Sequence, residues 1–82
     1  MIENKMSEMV EFNGKFYDGR NGSPFDRGAA DSYYDRSFRP HYFTGGTYLS
    51  QEILVEQGTP AYDDYVAGWE WNMKCGATKD YA

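Results

Sequence analysis

The sequence has a single cysteine, Cys75, and a single histidine, His41, among its 82 residues. One thiol cannot form an intramolecular disulfide, so cysteine pairing cannot supply a scaffold. A zinc site would need carboxylates for most of its ligands, which is uncommon. We therefore expect no metal centre, no cofactor and a chain that folds in a reducing, cytoplasmic compartment.

Long apolar runs are missing as well. No stretch approaches the roughly 20 apolar residues that span a bilayer, and residues 1–12 show no signal-peptide pattern. The net charge is −5, and an acidic chain is poorly suited to tight, sequence-independent binding of nucleic acid. These properties predict a cytoplasmic protein that has no membrane partner.

Catalytic patterns are scarce. A Cys75–His41 nucleophile pair is disfavoured because Cys75 lies at the end of a predicted helix, where the negative dipole raises a thiol pKa. The acids Asp63 and Asp64 are explained by their position in the first turn of that helix. We therefore expect a protein that is not an enzyme and has no small-molecule substrate.

What the sequence does contain is two helices with clear start signals. In the first, Ser23 can cap the helix, Pro24 suits its first position, and Asp26 can complete a capping box. The pattern predicts a helix over about residues 24–36. Its predicted apolar face comprises Phe25, Ala29 and Tyr33, with the small Gly28 beside them.

The second helix begins with Thr59 as its cap and Pro60 at its first position. Its predicted core-facing stripe comprises Tyr62, Tyr65, Val66, Trp69 and Met73. On this assignment Trp69 is buried and Trp71 is more exposed. A glycine within a helix costs about 1 kcal/mol relative to alanine. Gly68 therefore predicts that the two helices cross closely, at Gly28 and Gly68.

The remaining segments complete the fold class. Asn13-Gly14 between two β-prone runs predicts a hairpin with strands near 8–12 and 15–18. Residues 50–57 suit either a short helix or a buried strand, and we favour the helix. The prediction is a single α+β domain over residues 1–82: an N-terminal β-hairpin packed on a helix–loop–helix core, with flexible ends at 1–7 and 77–82.

Aromatic residues interleaved with arginines form the one constellation of functional interest. Such rings can stack on unpaired bases, they are common at protein-interface hot spots, and in a chain this small many belong to the core. The interaction surface that we predict comprises Arg27, Tyr34, Arg36, Arg39, His41, Tyr42 and Tyr48.

Short motifs resemble two kinds of known protein. The order of Arg27-Gly28-x-Ala30, Arg36, Pro40-His41-Tyr42 and Ala67-Gly68-Trp69 is similar to ribosome modulation factor, although that family is strongly basic and this chain is acidic. The fuller pattern from Ser23 to Tyr34 resembles short uncharacterised proteins of tailed bacteriophages. The resemblance implies a helix–loop–helix core and a phage source.

Together these features predict a small non-catalytic binding protein, a phage accessory factor that binds a host macromolecule in the host cytoplasm. A protein is the favoured partner, and a ribosome- or RNA-associated modulator is the alternative. An exposed, contiguous aromatic–arginine surface would favour RNA. Buried rings and an exposed acidic face would favour a basic protein.

Overall fold

The computed structural model describes residues 9–45 and 50–75 and has a mixed α+β fold. Its elements in chain order are β1 (Met9–Phe12), β2 (Lys15–Asp18), α1 (Pro24–Tyr33), β3 (His41–Phe43), β4 (Glu52–Leu54) and α2 (Pro60–Cys75). The predicted hairpin and both predicted helices are confirmed, although α1 ends at Tyr33, before its predicted end at 36. The predicted flexible ends, 1–7 and 77–82, lie outside the described residues.

The N-terminal hairpin packs its inner side on the helices. β1 and β2 pair antiparallel through an Asn13-Gly14 turn in which both residues have positive φ, 55° and 79°. Side chains alternate across a strand, so one side of the hairpin faces inward. That side consists of Val10, Phe12 and Tyr17, which contact a core containing Phe25 and Ala67. Phe16 on the opposite side is 60% exposed.

The start of α1 is fixed by buried hydrogen bonds. Ser23 Oγ accepts from the Asp26 N–H at 3.1 Å and donates to the Asp18 carbonyl at 2.6 Å. The Asp26 carboxylate accepts from the Gly22 N–H at 2.9 Å, one residue earlier than in a standard capping box. Through Asp18, the cap ties the first turn of α1 to the end of the hairpin.

The two helices cross at their glycines, as predicted. A Cβ added to Gly28 would lie 2.9 Å from the Tyr65 carbonyl carbon, and one added to Gly68 would lie 2.8 Å from the Phe25 carbonyl carbon. Real Cβ atoms essentially never come this close to backbone atoms. Only glycine at both positions lets each helix rest on the backbone of the other.

The buried faces of the helices differ from the predicted stripes. Tyr33 in α1 is 37% exposed and Met73 in α2 is 69% exposed, so neither belongs to the core. The polar residues Ser32 and Asn72 are buried instead, and Asn72 Nδ2 donates to Ser32 Oγ at 3.1 Å across the interface. The helix–helix contact is therefore closed partly by hydrogen bonding.

The predicted contrast between the two tryptophans is wrong. Trp69 and Trp71 are both half-buried. Trp71 packs on Phe25 with ring centroids 5.6 Å apart, and Trp69 packs under Phe38 at 5.4 Å. The helices turn their glycine faces toward each other, which leaves one tryptophan on each flank of α2.

The favoured helix over 50–57 is also wrong, because this segment contains β4. β4 pairs antiparallel with β3, with Tyr42 opposite Ile53. The Phe43 N–H donates to the Gly22 carbonyl at 2.8 Å and joins this second hairpin to the loop before α1. In the part of the chain that the structure describes, the strands therefore form two separate two-stranded sheets, β1 with β2 and β3 with β4.

Candidate functional site

A buried carboxylate, Asp31 on α1, is the centre of the predicted interaction surface. Asp31 is only 4% exposed. Its Oδ1 lies 4.0 Å from Arg27 on the same helix face and 3.5 Å from Arg36 in the following loop. A buried carboxylate is costly unless it is paired and hydrogen-bonded, so these arginines stabilise its charged form.

Tyr65 on α2 donates a hydrogen bond to the other carboxylate oxygen of Asp31. Its hydroxyl donates to Asp31 Oδ2 at 2.5 Å and accepts from the Arg39 N–H at 3.1 Å. Tyr65 is fully buried, and burial, followed by the hydrogen bond to Asp31, raises the pKa of its hydroxyl above the usual value. This residue therefore links α2, α1 and the loop between α1 and β3 through one neutral hydroxyl.

His41 at the start of β3 completes the buried group, which we call the Asp31 cluster: Arg27, Asp31, His41 and Tyr65. His41 is 4% exposed, and its Nδ1 lies 2.6 Å from the Arg39 carbonyl oxygen. A carbonyl can only accept, so Nδ1 carries the proton and donates. Asp31 Oδ2 is 3.9 Å from the same nitrogen, which is beyond hydrogen-bond distance.

Two arginines lie at the rim above this cluster. Arg39 pairs with Glu52 of β4, and its side chain is 55% exposed. The guanidinium of Arg36, whose side chain is 45% exposed, lies 4.8 Å from the centroid of the Tyr34 ring. Carboxylate pairing and cation–π stacking thus hold the loop between α1 and β3 in place.

A cleft of about 250 Å³ opens between the rim and the cluster. We call it the arginine cleft. Its charged and ring-nitrogen groups come from α1, the following loop and the second hairpin: Arg27, Asp31, Arg36, Arg39, His41 and Glu52. The fold thus brings four of the seven predicted surface residues into one site. Arg27 and His41 lie at its floor, and Arg36 and Arg39 lie at its rim.

The other three predicted residues lie apart from the cleft. Tyr34 does not line the cleft, although its ring stacks with Arg36, which does. Tyr42 points to the other side of β3, where it lines a separate depression beside Arg20. Tyr48 lies outside the described residues. Asp31, Glu52 and Tyr65 were not among the predicted surface residues, although Asp31 follows Arg27 by four residues, the spacing of a helical ion pair.

A second surface combines Phe38 with the residues of the predicted α2 stripe other than Tyr65, which is buried as predicted. We call it the aromatic flank, and its residues are Phe38, Tyr62, Val66, Trp69 and Met73. The Phe38 ring lies 6.2 Å from Tyr62 and 5.4 Å from Trp69, edge to face, and remains 46% exposed. The acids Asp63 and Glu70 are exposed on the adjacent face of the helix.

Within residues 9–45 and 50–75, no three His, Cys, Asp or Glu side chains are grouped so that they could hold a metal ion. Neither α1 nor α2 has the length and apolar character needed to cross a bilayer. Comparison of the chain with protein-family models, with curated proteins and with solved structures gives no match.

Proposed function

We propose that this chain is a small non-catalytic binding protein and that its partner is another protein. The aromatic flank is the observation that carries the proposal. Phe38 and Met73 are 46% and 69% exposed, and Trp69 is half-buried beside them. Neighbouring large apolar side chains left in solvent are typical of protein interaction sites. If the phage source implied by the sequence resemblance is correct, the partner is a host protein.

The charge around the flank defines the kind of protein. α2 carries three acids, Asp63, Asp64 and Glu70, against one base, Lys74. Asp63 and Glu70 are exposed beside the apolar side chains. Complementary charge accelerates encounter and excludes partners of like charge. We therefore infer a basic segment that also carries apolar side chains as the occupant.

A ribosome- or RNA-associated role is the second candidate, and one observation favours it. Tyr34, 38% exposed, stacks with Arg36, and such a pair could receive an unpaired base. However, Arg36 is already paired with Asp31 and Arg39 with Glu52. Tight RNA binding needs contacts to many phosphates along the strand, and a chain with a net charge of −5 has few cations to supply them, which makes RNA the weaker candidate.

Affinity capture from a nuclease-treated bacterial lysate tests the proposal when it is combined with charge-reversal variants. The double variant Glu70→Lys with Met73→Lys places two cations on the aromatic flank, and both side chains are exposed, so the fold is expected to persist. The matched control is Glu11→Lys, an exposed acid of the N-terminal hairpin.

We expect wild type and Glu11→Lys to retain the same protein partner and the double variant to lose it. Retention of that partner by the double variant would show that the flank is not the binding surface. A partner recovered only without nuclease would instead support the RNA alternative.

A further inference from the structure

The arginine cleft brings three cations together on a chain whose net charge is −5. Two carboxylates, Asp31 and Glu52, also line it, and a third, Asp26, lies 3.5 Å from Arg27 outside the lining. The three arginines converge from α1 and from the loop between α1 and β3. A concave site where cations converge attracts anions even on an acidic protein.

The floor of the cleft is formed by a buried cation. The Arg27 side chain is 7% exposed, and its guanidinium lies 3.5 Å from Asp26 and 4.0 Å from Asp31. Charge-assisted hydrogen bonds are shorter, about 2.7–2.9 Å. Both of these ion pairs are longer than that, and the guanidinium also lies 5.9 Å from the centroid of the Phe43 ring, which fixes this cation at the floor of the cleft.

The negative charge of Asp31, the carboxylate at the floor, is partly offset by neighbouring groups of the protein. Asp31 Oδ2 accepts the Tyr65 hydroxyl proton at 2.5 Å, and Oδ1 faces Arg36 and Arg27. Its charge is met by groups of the protein on both oxygens. The repulsion that it would exert on an entering anion is reduced accordingly.

The rim arginines are accessible to a ligand. The side chains of Arg36 and Arg39 are 45% and 55% exposed, and each pairs with a carboxylate of the same cleft. A partly exposed ion pair stabilises a fold by only about 0.2–1 kcal/mol, so a ligand can compete with the carboxylate for the guanidinium. Planar guanidinium groups bind tetrahedral oxyanions through two parallel hydrogen bonds.

From these observations we propose that the arginine cleft is a binding site for a small oxyanion of the phosphate class. The floor cation Arg27 and the rim cations Arg36 and Arg39 contact its oxygens. The ligand is either free phosphate or a phosphate monoester group on a larger molecule. This site does not depend on the aromatic flank, because it uses different side chains.

The experiment is a titration of the folded protein followed by two-dimensional amide NMR. Inorganic phosphate, O-phosphoserine and acetate are added separately at constant ionic strength. We expect saturable shifts with phosphate, centred on residues of the cleft, and Kd values in about the millimolar range or tighter. O-phosphoserine binding at least as tightly as phosphate identifies a phosphorylated molecule as the ligand, and weaker binding identifies free phosphate.

Three variants locate the site. Arg36→Gln and Arg39→Gln change exposed side chains and should each weaken phosphate binding by about tenfold, the equivalent of one charged hydrogen bond. Arg20→Gln is the matched control, since Arg20 is also exposed and paired, with Asp18, but lies outside the arginine cleft. It should leave the affinity unchanged.

Three results would overturn the proposal. Phosphate shifts that do not saturate would mean that the cleft holds no oxyanion. Equal loss of affinity in Arg20→Gln would mean that phosphate only screens surface charge. Acetate binding as tightly as phosphate would reject the phosphate class. The amide spectra themselves report whether each variant is folded.

Discussion

At the scale of single residues, two glycines and one tyrosine determine how the helices pack and how Asp31 is held. Gly28 and Gly68 set the distance between the helices, and Tyr65 holds Asp31 and the Arg39 N–H with one hydroxyl. The glycine contact was predictable because a glycine inside a helix is costly unless its missing side chain is used. The role of Tyr65 was not predictable, because it depends on Asp31, which lies 34 positions away in the chain.

Gly68→Ala should destabilise the protein although alanine is the better helix former. Its Cβ would lie 2.8 Å from the Phe25 carbonyl carbon, so the helices must separate. Overpacking of this kind costs about 1–3 kcal/mol. Urea denaturation should show that loss for Gly68→Ala and little change for Glu70→Ala, an exposed position on the same helix. An unchanged or higher unfolding free energy in Gly68→Ala would mean that the crossing tolerates a side chain.

Tyr65→Phe should be more damaging than its small change in volume suggests. It leaves Asp31 Oδ2 without a donor and the Arg39 N–H without an acceptor in a buried position. An unsatisfied buried polar group costs about 1–3 kcal/mol. Chemical denaturation should show this loss, with Tyr33→Phe, an exposed tyrosine of α1, as the control. Equal stabilities of the two variants would contradict the role assigned to Tyr65.

The same residue should give the protein a characteristic instability in alkali. Burial, then the hydrogen bond to Asp31, raises the pKa of Tyr65 in the folded state. Below about pH 10 the hydroxyl is protonated in both states, and its contribution to stability is complete. Above that pH the unfolded chain ionises first, so the unfolding free energy of wild type should fall by up to about 1.4 kcal/mol per pH unit more than that of Tyr65→Phe. Parallel pH profiles for the two proteins would refute this.

At the scale of elements, start signals predicted the helices well and side-chain periodicity predicted their faces poorly. The apolar period of α2 selects Tyr62, Tyr65, Val66, Trp69 and Met73. Of these, Tyr65 is buried as predicted, whereas the buried arc continues through Gly68 and Asn72. Glycine and asparagine carry no apolar signal, and their burial depends on the partner helix. The rest of the predicted stripe forms the aromatic flank.

The second hairpin could not be predicted from local sequence signals. Ser50 and Gly58 resemble helix boundaries, but Ile53 pairs with Tyr42, eleven residues earlier in the chain. A three-residue strand has no periodicity of its own to detect. Because Arg39 and Glu52 meet only through this pairing, the rim of the arginine cleft could not be predicted without it.

The two helix caps should differ in their contribution to stability. Ser23 is buried and makes two hydrogen bonds, to the Asp26 N–H and the Asp18 carbonyl. Thr59 is half-buried and also makes two hydrogen bonds: its hydroxyl accepts from the Tyr62 N–H at 3.2 Å and donates to the Glu56 carbonyl at 2.8 Å, the latter exposed to solvent. Loss of a cap costs about 0.5–2 kcal/mol. We expect Ser23→Ala near the upper end of that range and Thr59→Ala near the lower end, measured by thermal and urea unfolding. The reverse order would show that burial does not strengthen the first cap.

At the scale of the whole molecule, two neighbouring surfaces differ in the charged groups that they carry. The acidic flank of α2 and the arginine cleft meet at the loop between α1 and β3, where Phe38 belongs to the first and Arg39 to the second. The segment 15–39 holds five basic and four acidic residues, so its net charge is only +1. The chain can therefore bind a small anion in one place without being a basic protein.

This distribution of charge predicts weak RNA binding. Affinity for single-stranded RNA falls by about 0.7 log units per log unit of salt for each phosphate that is neutralised, so tight binding needs many free cations. Arg36 and Arg39 are already paired with Asp31 and Glu52. We expect no binding of total ribosomal RNA tighter than about micromolar at physiological salt in a filter-binding titration. Arg36→Ala with Arg39→Ala should lower the unfolding free energy more than it changes any RNA interaction, since these side chains fix the loop. Nanomolar binding at physiological salt, abolished in that double variant while its fold stays intact, would reverse the order of the two candidate functions and make the Tyr34–Arg36 stack the centre of an RNA interface.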